Sequence, residues 1–180
     1  MTEQPSEPSG SMRNLKFRKV TVWTKKTARE RPFLPMEEKE CLVTYTKVNK
    51  QEAWTLWDSG STAMGVTPAF AHVANLRIFP LSNLHILQLG TISSRAQISH
   101  GADVQVEMPG VSTKMYVDVA NFDRYDMIIG TLFMRKHGVK LDFVKNQVII
   151  AGVATPAIKA KVPDTDERAR RYRSVDKKRD

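Results

Sequence analysis

At 180 residues and 41% apolar content, the chain is long enough for one cored domain with extensions, and no apolar run reaches the roughly 18 residues of a membrane span. The single cysteine, Cys41, excludes an internal disulfide; with four scattered histidines (His72, His85, His100, His137) it shows no metal-ligand spacing, so neither metal nor cofactor is expected. The net charge of +9 sits at the ends, +5 in residues 1–36 and +4 in residues 159–180, with a neutral middle, which argues against a basic nucleic-acid-binding face on the central domain.

The composition divides the chain into a basic N-terminal extension (1–36), a domain (37–153) and a charged tail (154–180). The start, Met1 to Ser11, is polar with two prolines and lacks the apolar core of a signal peptide. With a lone cysteine, this leads to the expectation of an intracellular, cytoplasmic protein. Residues 16–36 read as a linker with one strand around Val20-Thr21-Val22.

From Cys41 the texture becomes β-rich. Cys41 to Val48 is dense in β-branched and aromatic residues and predicts a strand; Asn49-Lys50-Gln51 predicts a turn, and Ala53 to Trp57 a second strand. A hydroxyl- and glycine-rich loop, Ser59 to Gly65, follows Asp58. Pro68 opens a short helix with Phe70, Val73, Ala74 and Leu76 on one face. Leu84 to Leu89 and Ala96 to His100 form a hairpin with a small, flexible tip, Gly90 to Ser94, and Gly101 marks a bulge or bend. Val104, Val106 and Met108 alternate with polar residues, as in a half-buried strand; Pro109-Gly110 turns the chain into a strand over Met115 to Val119. Tyr125 to Ile129 is a second apolar run, stopping at Gly130. Thr131 to His137 predicts a helix ended by Gly138, and Val139–Phe143 with Gln147–Ile150 a closing hairpin. The sum is an all-β closed barrel with one or two short helices.

Within this pattern the stretch Trp54-Thr55-Leu56-Trp57-Asp58-Ser59-Gly60-Ser61-Thr62 stands out. An apolar run ends at an acid, and a carboxylate at the end of a buried strand is costly unless compensated or needed for chemistry. Asp-Ser-Gly is also an ordinary turn sequence. Its weight comes from combination with the glycine-tipped hairpin and the later run ending at Gly130.

These three features resemble the retropepsin family, the aspartic proteases of retroviruses and long-terminal-repeat retrotransposons. The match runs in order from Cys41 to Gly152, and Tyr125 to Met134 looks closest to the Ty3/Gypsy class, particularly of fungi. The resemblance implies a single-lobed retropepsin-like barrel, a catalytic Asp58, and an active-site loop supported by Ser59, Gly60, Ser61 and Gly130. It implies a flap at Leu89, Gly90, Thr91, Ile92 and Ser93 that covers a bound peptide, with Leu89 and Ile92 as subsite candidates.

Such chemistry needs two carboxylates facing one water. Asp103, Asp118, Asp126 and Asp142 lack a following Ser/Thr-Gly, so the second acid must come from another copy. The implied assembly is a homodimer, acting on a peptide or polyprotein substrate, with Asp58 of each chain at the two-fold axis. The sequence departs from the family at Trp57, where a small aliphatic residue is usual. It departs again at Thr62 and Thr131, where retroviral members carry an acid and an arginine. Two other readings stay open: a retained fold that only dimerises or binds partners, and a polyprotein fragment whose basic ends (Lys25-Lys26, Arg168 to Arg173, Lys177 to Arg179) contact nucleic acid.

Overall fold

The computed structural model describes residues 29–33, 35, 40–88, 95–122 and 124–159. The chain divides into two units, residues 1–34 and 35–180. In the first, residues 29–33 carry no strand or helix, and the strand expected around Val20-Thr21-Val22 lies outside the described residues.

All described elements belong to the second unit. They are β1 (Val43–Val48), β2 (Gln51–Trp57), β3 (Gly65–Val66), α1 (Pro68–Val73), β4 (Ile78–Gln88), β5 (Arg95–Met108), β6 (Val111–Val119), β7 (Met127–Ile129), α2 (Thr131–Lys136), β8 (Lys140–Asp142), β9 (Gln147–Ile150) and β10 (Val153–Pro156). Seven strands form one sheet in the order β1-β2-β7-β3-β6-β5-β4, and a further β1–β5 pairing, Lys47 with Glu107 and Val48 with Val106, bends it into a ring. β8, β9 and β10 form a separate three-stranded sheet. The fold is all-β with a closed, ring-like sheet and two short helices among the described residues.

Alternation places the core. In β1 the side chains of Thr44, Thr46 and Val48 turn inward while Tyr45 and Lys47 face out; in β2 Ala53, Thr55 and Trp57 are buried. Val66, Ala102, Val104, Val106, Val117, Met127, Ile129, Val148 and Ile150 complete the buried cluster. Asn49 and Lys50, both at positive φ, make the expected turn of the β1–β2 hairpin. Thr67 caps α1 by accepting a hydrogen bond from the Phe70 backbone N–H, with Pro68 at the first helical position. Phe70, Ala71 and Leu76 are buried, but Val73 is exposed: the helix is only six residues long and Val73, its last, turns outward.

Three expectations need correction. The strand expected from Leu84 begins at Ile78, before Pro80, whose lack of an N–H concealed it. Gly101 is neither bulge nor bend. β5 runs through it without a break, and the irregularity lies opposite, in β4 between Pro80 and His85. The reason for a glycine is Tyr116 on the neighbouring strand β6: a Cβ at residue 101 would fall 2.3–2.6 Å from its ring and hydroxyl. Finally, the closing hairpin expected over Val139–Phe143 and Gln147–Ile150 has a third strand beside it. Val153–Pro156 pairs antiparallel with β9, and beyond it the Ile158 N–H donates to the Val43 carbonyl.

Candidate active site

β2 and β7 run parallel, with Trp57 opposite Ile129. That register sets Asp58 and Gly130, the next residues on each strand, side by side. The Asp58 N–H donates to the Ile129 carbonyl at 3.0 Å, fixing the acid's backbone to the end of β7. The turn after it closes on itself: Ser61 N–H donates to the Asp58 carbonyl (3.2 Å) and Gly60 N–H to Asp58 Oδ1 (2.9 Å). The carboxylate thus organises its own loop while remaining only half-buried, with Ser59 and Gly60 exposed beside it.

Gly130 presses on the back of this loop. A Cβ there would lie 2.5 Å from the carbonyl oxygens of both Ser61 and Ala63, which are main-chain atoms and cannot swing away. The Thr131 N–H at the start of α2 donates to the same Ser61 carbonyl at 2.8 Å. Ser61 Oγ bridges the Ala63 backbone, donating to its carbonyl and accepting from its N–H. At Gly60 a Cβ would sit 3.2 Å from Asp58 Oδ1. Asp58, Gly60, Ser61 and Gly130 therefore form one packed unit at the end of the barrel, with Ser59 on its solvent side.

No family model and no curated protein matches this chain. Among solved structures, the retroviral protease-like domain of Ddi1 from Leishmania major superposes with a TM-score of 0.51 at 16% identity, covering 66% of this chain and 94% of that one. The fold is that of the retropepsin-like aspartic proteases. Other matches are the EIAV protease complexed with the inhibitor HBY-793 (TM-score 0.47, 17% identity, 61% of this chain and 99% of that one) and a retropepsin-like aspartic protease from Rickettsia conorii (0.42, 16%, 58% and 79%).

In this retropepsin-like barrel the unusual Trp57 points inward. It is 3% exposed, donates from Nε1 to Thr44 Oγ1 at 2.9 Å, and packs on Phe133 of α2 with ring centroids 6.0 Å apart. It supports the loop from beneath and does not crowd it. The partner hydroxyl at Thr44 was not foreseeable from local sequence, because it comes from a neighbouring strand 13 residues away.

Asp126 is a second residue that sequence reasoning passed over. Its carboxylate accepts from the Trp54 N–H (2.9 Å), its own N–H donates to the Trp54 carbonyl, and its carbonyl accepts from Thr67 N–H. It ties β2, the start of β7 and the cap of α1 together. The signal was an acid just ahead of an apolar strand, the mirror of Asp58 at a strand's end.

The residues expected to form a flap, Leu89, Gly90, Thr91, Ile92 and Ser93, lie outside the described residues, as do Lys25-Lys26 and the basic stretches of residues 168–179. The strands on either side of them are described: His85, Ile86, Leu87 and Gln88 pair with Ile98, Gln97, Ala96 and Arg95. Among the described residues no group of His, Cys, Asp or Glu could hold a metal ion, and no helix is long and apolar enough to cross a membrane.

Proposed function

We propose that the protein is an aspartic endopeptidase of retroelement type, active as a homodimer with Asp58 of each copy facing one water. Two carboxylates about 3 Å apart share one proton. The ionised one accepts a proton from the water as it attacks the peptide carbonyl, while the protonated one donates to the carbonyl oxygen. The residues of each chain hold their carboxylate in place: Gly60 N–H anchors Oδ1, and Ser61 and Gly130 fix the loop behind it. Leu89 to Ser93 would close over the peptide and exclude water. The domain proposed to carry this activity is residues 37–153, continued by the paired strand Val153–Pro156.

The observation that carries this reading is the locked juxtaposition of Asp58 and Gly130. A turn of no further purpose would not require a distant glycine with two carbonyl oxygens where its Cβ would stand. The experiment compares wild type and Asp58→Asn on a peptide library between about pH 4 and 7. Circular dichroism would establish that both are folded. Cleavage that disappears in Asp58→Asn and is blocked by a statine-type transition-state mimic supports the proposal; cleavage that persists in the variant overturns it.

A further inference from the structure

The ring of strands closes at the short β1–β5 seam, and a cleft opens beside that seam. Pairing stops there at Lys47 with Glu107; Thr46 and Met108, next in register, are not paired. The cleft is a cavity of about 280 Å³ lined by Tyr45, Lys47, Glu52, Glu107, Met108 and Pro109.

Strand alternation decides which side chains face it. Thr46 and Val48 of β1 are buried while Tyr45 and Lys47 turn outward; on β2 Ala53 is buried and Glu52 is exposed. Register sets Glu52 opposite Lys47 on one side and Glu107 opposite it on the other, so a carboxylate, an ammonium and a carboxylate stand in a row across β2, β1 and β5. Directly opposed side chains have Cβ atoms about 5 Å apart. Lys47 can neutralise only one of its two neighbours, and the row keeps a negative charge. The chain as a whole is at +9, so any attraction the cleft exerts on a cation is local. Beside the row Tyr45 presents a ring that is 54% exposed, and Met108 and Pro109 supply apolar walls. Trp54, directly opposite Tyr45, extends the aromatic surface to Tyr125, with ring centroids 5.7 Å apart.

We propose that this cleft binds the arginine side chain of a peptide. The guanidinium donates to the carboxylate that Lys47 leaves without a counter-charge, and the aliphatic stem lies along Tyr45, Met108 and Pro109. Arginine suits the cleft better than lysine, because its planar fork matches a carboxylate and its face stacks on an aromatic ring. An anionic ligand is disfavoured, since it would meet two carboxylates for one ammonium. The length of β2 separates Glu52 from Asp58, about 20 Å at roughly 3.3 Å per residue, so the cleft is distinct from the Asp58 loop. The assignment goes beyond the endopeptidase reading and holds whether or not the chain cleaves peptides. In an endopeptidase it would grip a substrate away from the bond that is cut.

The test is a nuclear magnetic resonance titration of the full-length chain with the peptide acetyl-Ala-Pro-Arg-Ala-Ala-amide, in the Asp58→Asn background so that cleavage does not consume the probe. Binding should saturate with a dissociation constant below about 1 mM, and the shifted amides should include Tyr45, Lys47 and Glu107. The same peptide with citrulline for arginine, alike in shape and uncharged, should bind at least about tenfold more weakly. Glu52→Gln/Glu107→Gln should weaken the arginine peptide by a similar factor, and Tyr45→Ala by about threefold. Lys47→Gln should tighten it about threefold, because both carboxylates are then open to the ligand. A row that served only to hold the strands together would not give that sign. Asp103→Asn, which removes an exposed carboxylate elsewhere on β5, should change nothing. Absence of binding overturns the assignment, as do equal affinity for the citrulline peptide, indifference to Glu52 and Glu107, or weaker binding by Lys47→Gln. The catalytic reading fails separately, through cleavage that survives Asp58→Asn.

Discussion

The Asp58 loop and the β8–β9 turn are both organised by an aspartate, yet they are finished to different degrees. Asp58 accepts from Gly60 N–H in a loop backed by Gly130, with Ser61 and Thr131 joined behind it. Asp142 accepts from Lys145 N–H and Gln147 Nε2 in a turn that leaves Phe143 and Val144 facing solvent. One loop has its packing within a single chain; the other offers its apolar surface outward. The contrast teaches which loop is packed within the chain and which leaves apolar side chains in solvent.

The largest effect should come from intruding on the complete side. Gly130→Ala places a methyl 2.5 Å from two backbone oxygens, so β7 and the Asp58 loop must part. A loss of about 3 kcal/mol or more in urea unfolding is expected. A loss below about 1 kcal/mol would show that the loop yields easily and that the packing argument is wrong.

Next comes the support beneath. Trp57→Phe removes the indole N–H and leaves the Thr44 hydroxyl, 2% exposed, without its donor. We expect a cost of about 1–3 kcal/mol in the same measurement. A neutral substitution would mean that this hydrogen bond contributes nothing net.

Two smaller effects depend on pH. The His137 imidazole, partly desolvated against Phe133 and next to Lys136, is held below its ordinary value of 6.5. The fold therefore favours the neutral ring. Its contribution is full above about pH 6.5 and is lost as pH falls through the lower folded value. His137→Gln should flatten the decline in melting temperature between about pH 7 and 5; an unchanged slope would contradict the assignment. The smallest effect is at the turn. Hydrogen bonds, chiefly from the Lys145 backbone, hold the Asp142 carboxyl below its ordinary 3.8. Stability from it is present above that value and lost as pH drops through the folded one. Because the group faces water, the expected sign is a slightly steeper acid limb in wild type than in Asp142→Asn, read from melts between about pH 5 and 2.

The readable parts of the sequence were those written locally. The β1–β2 hairpin announced itself through Val, Thr and Tyr before Asn49-Lys50 and Trp, Thr and Leu after it, and the second helix through Gly138 after His137. Asp58 and Gly130 were each visible because an apolar run stops there. What could not be read was written across strands. Gly101 resembled a bulge because its reason, the Tyr116 ring, lies on another strand. The beginning of β4 was hidden by Pro80, and Val153–Pro156 by its small residues and terminal proline. Trp57 stood out only as a departure from the family pattern; its place in the core comes from Thr44 and Phe133 on other elements.

The central claim is that Asp58 is the catalytic carboxylate, and its most direct measurement is the rate of peptide-bond cleavage by folded wild type against equally folded Asp58→Asn at mildly acidic pH. The account predicts cleavage by the wild type and none above background by the variant. Equal rates from the two proteins would contradict it.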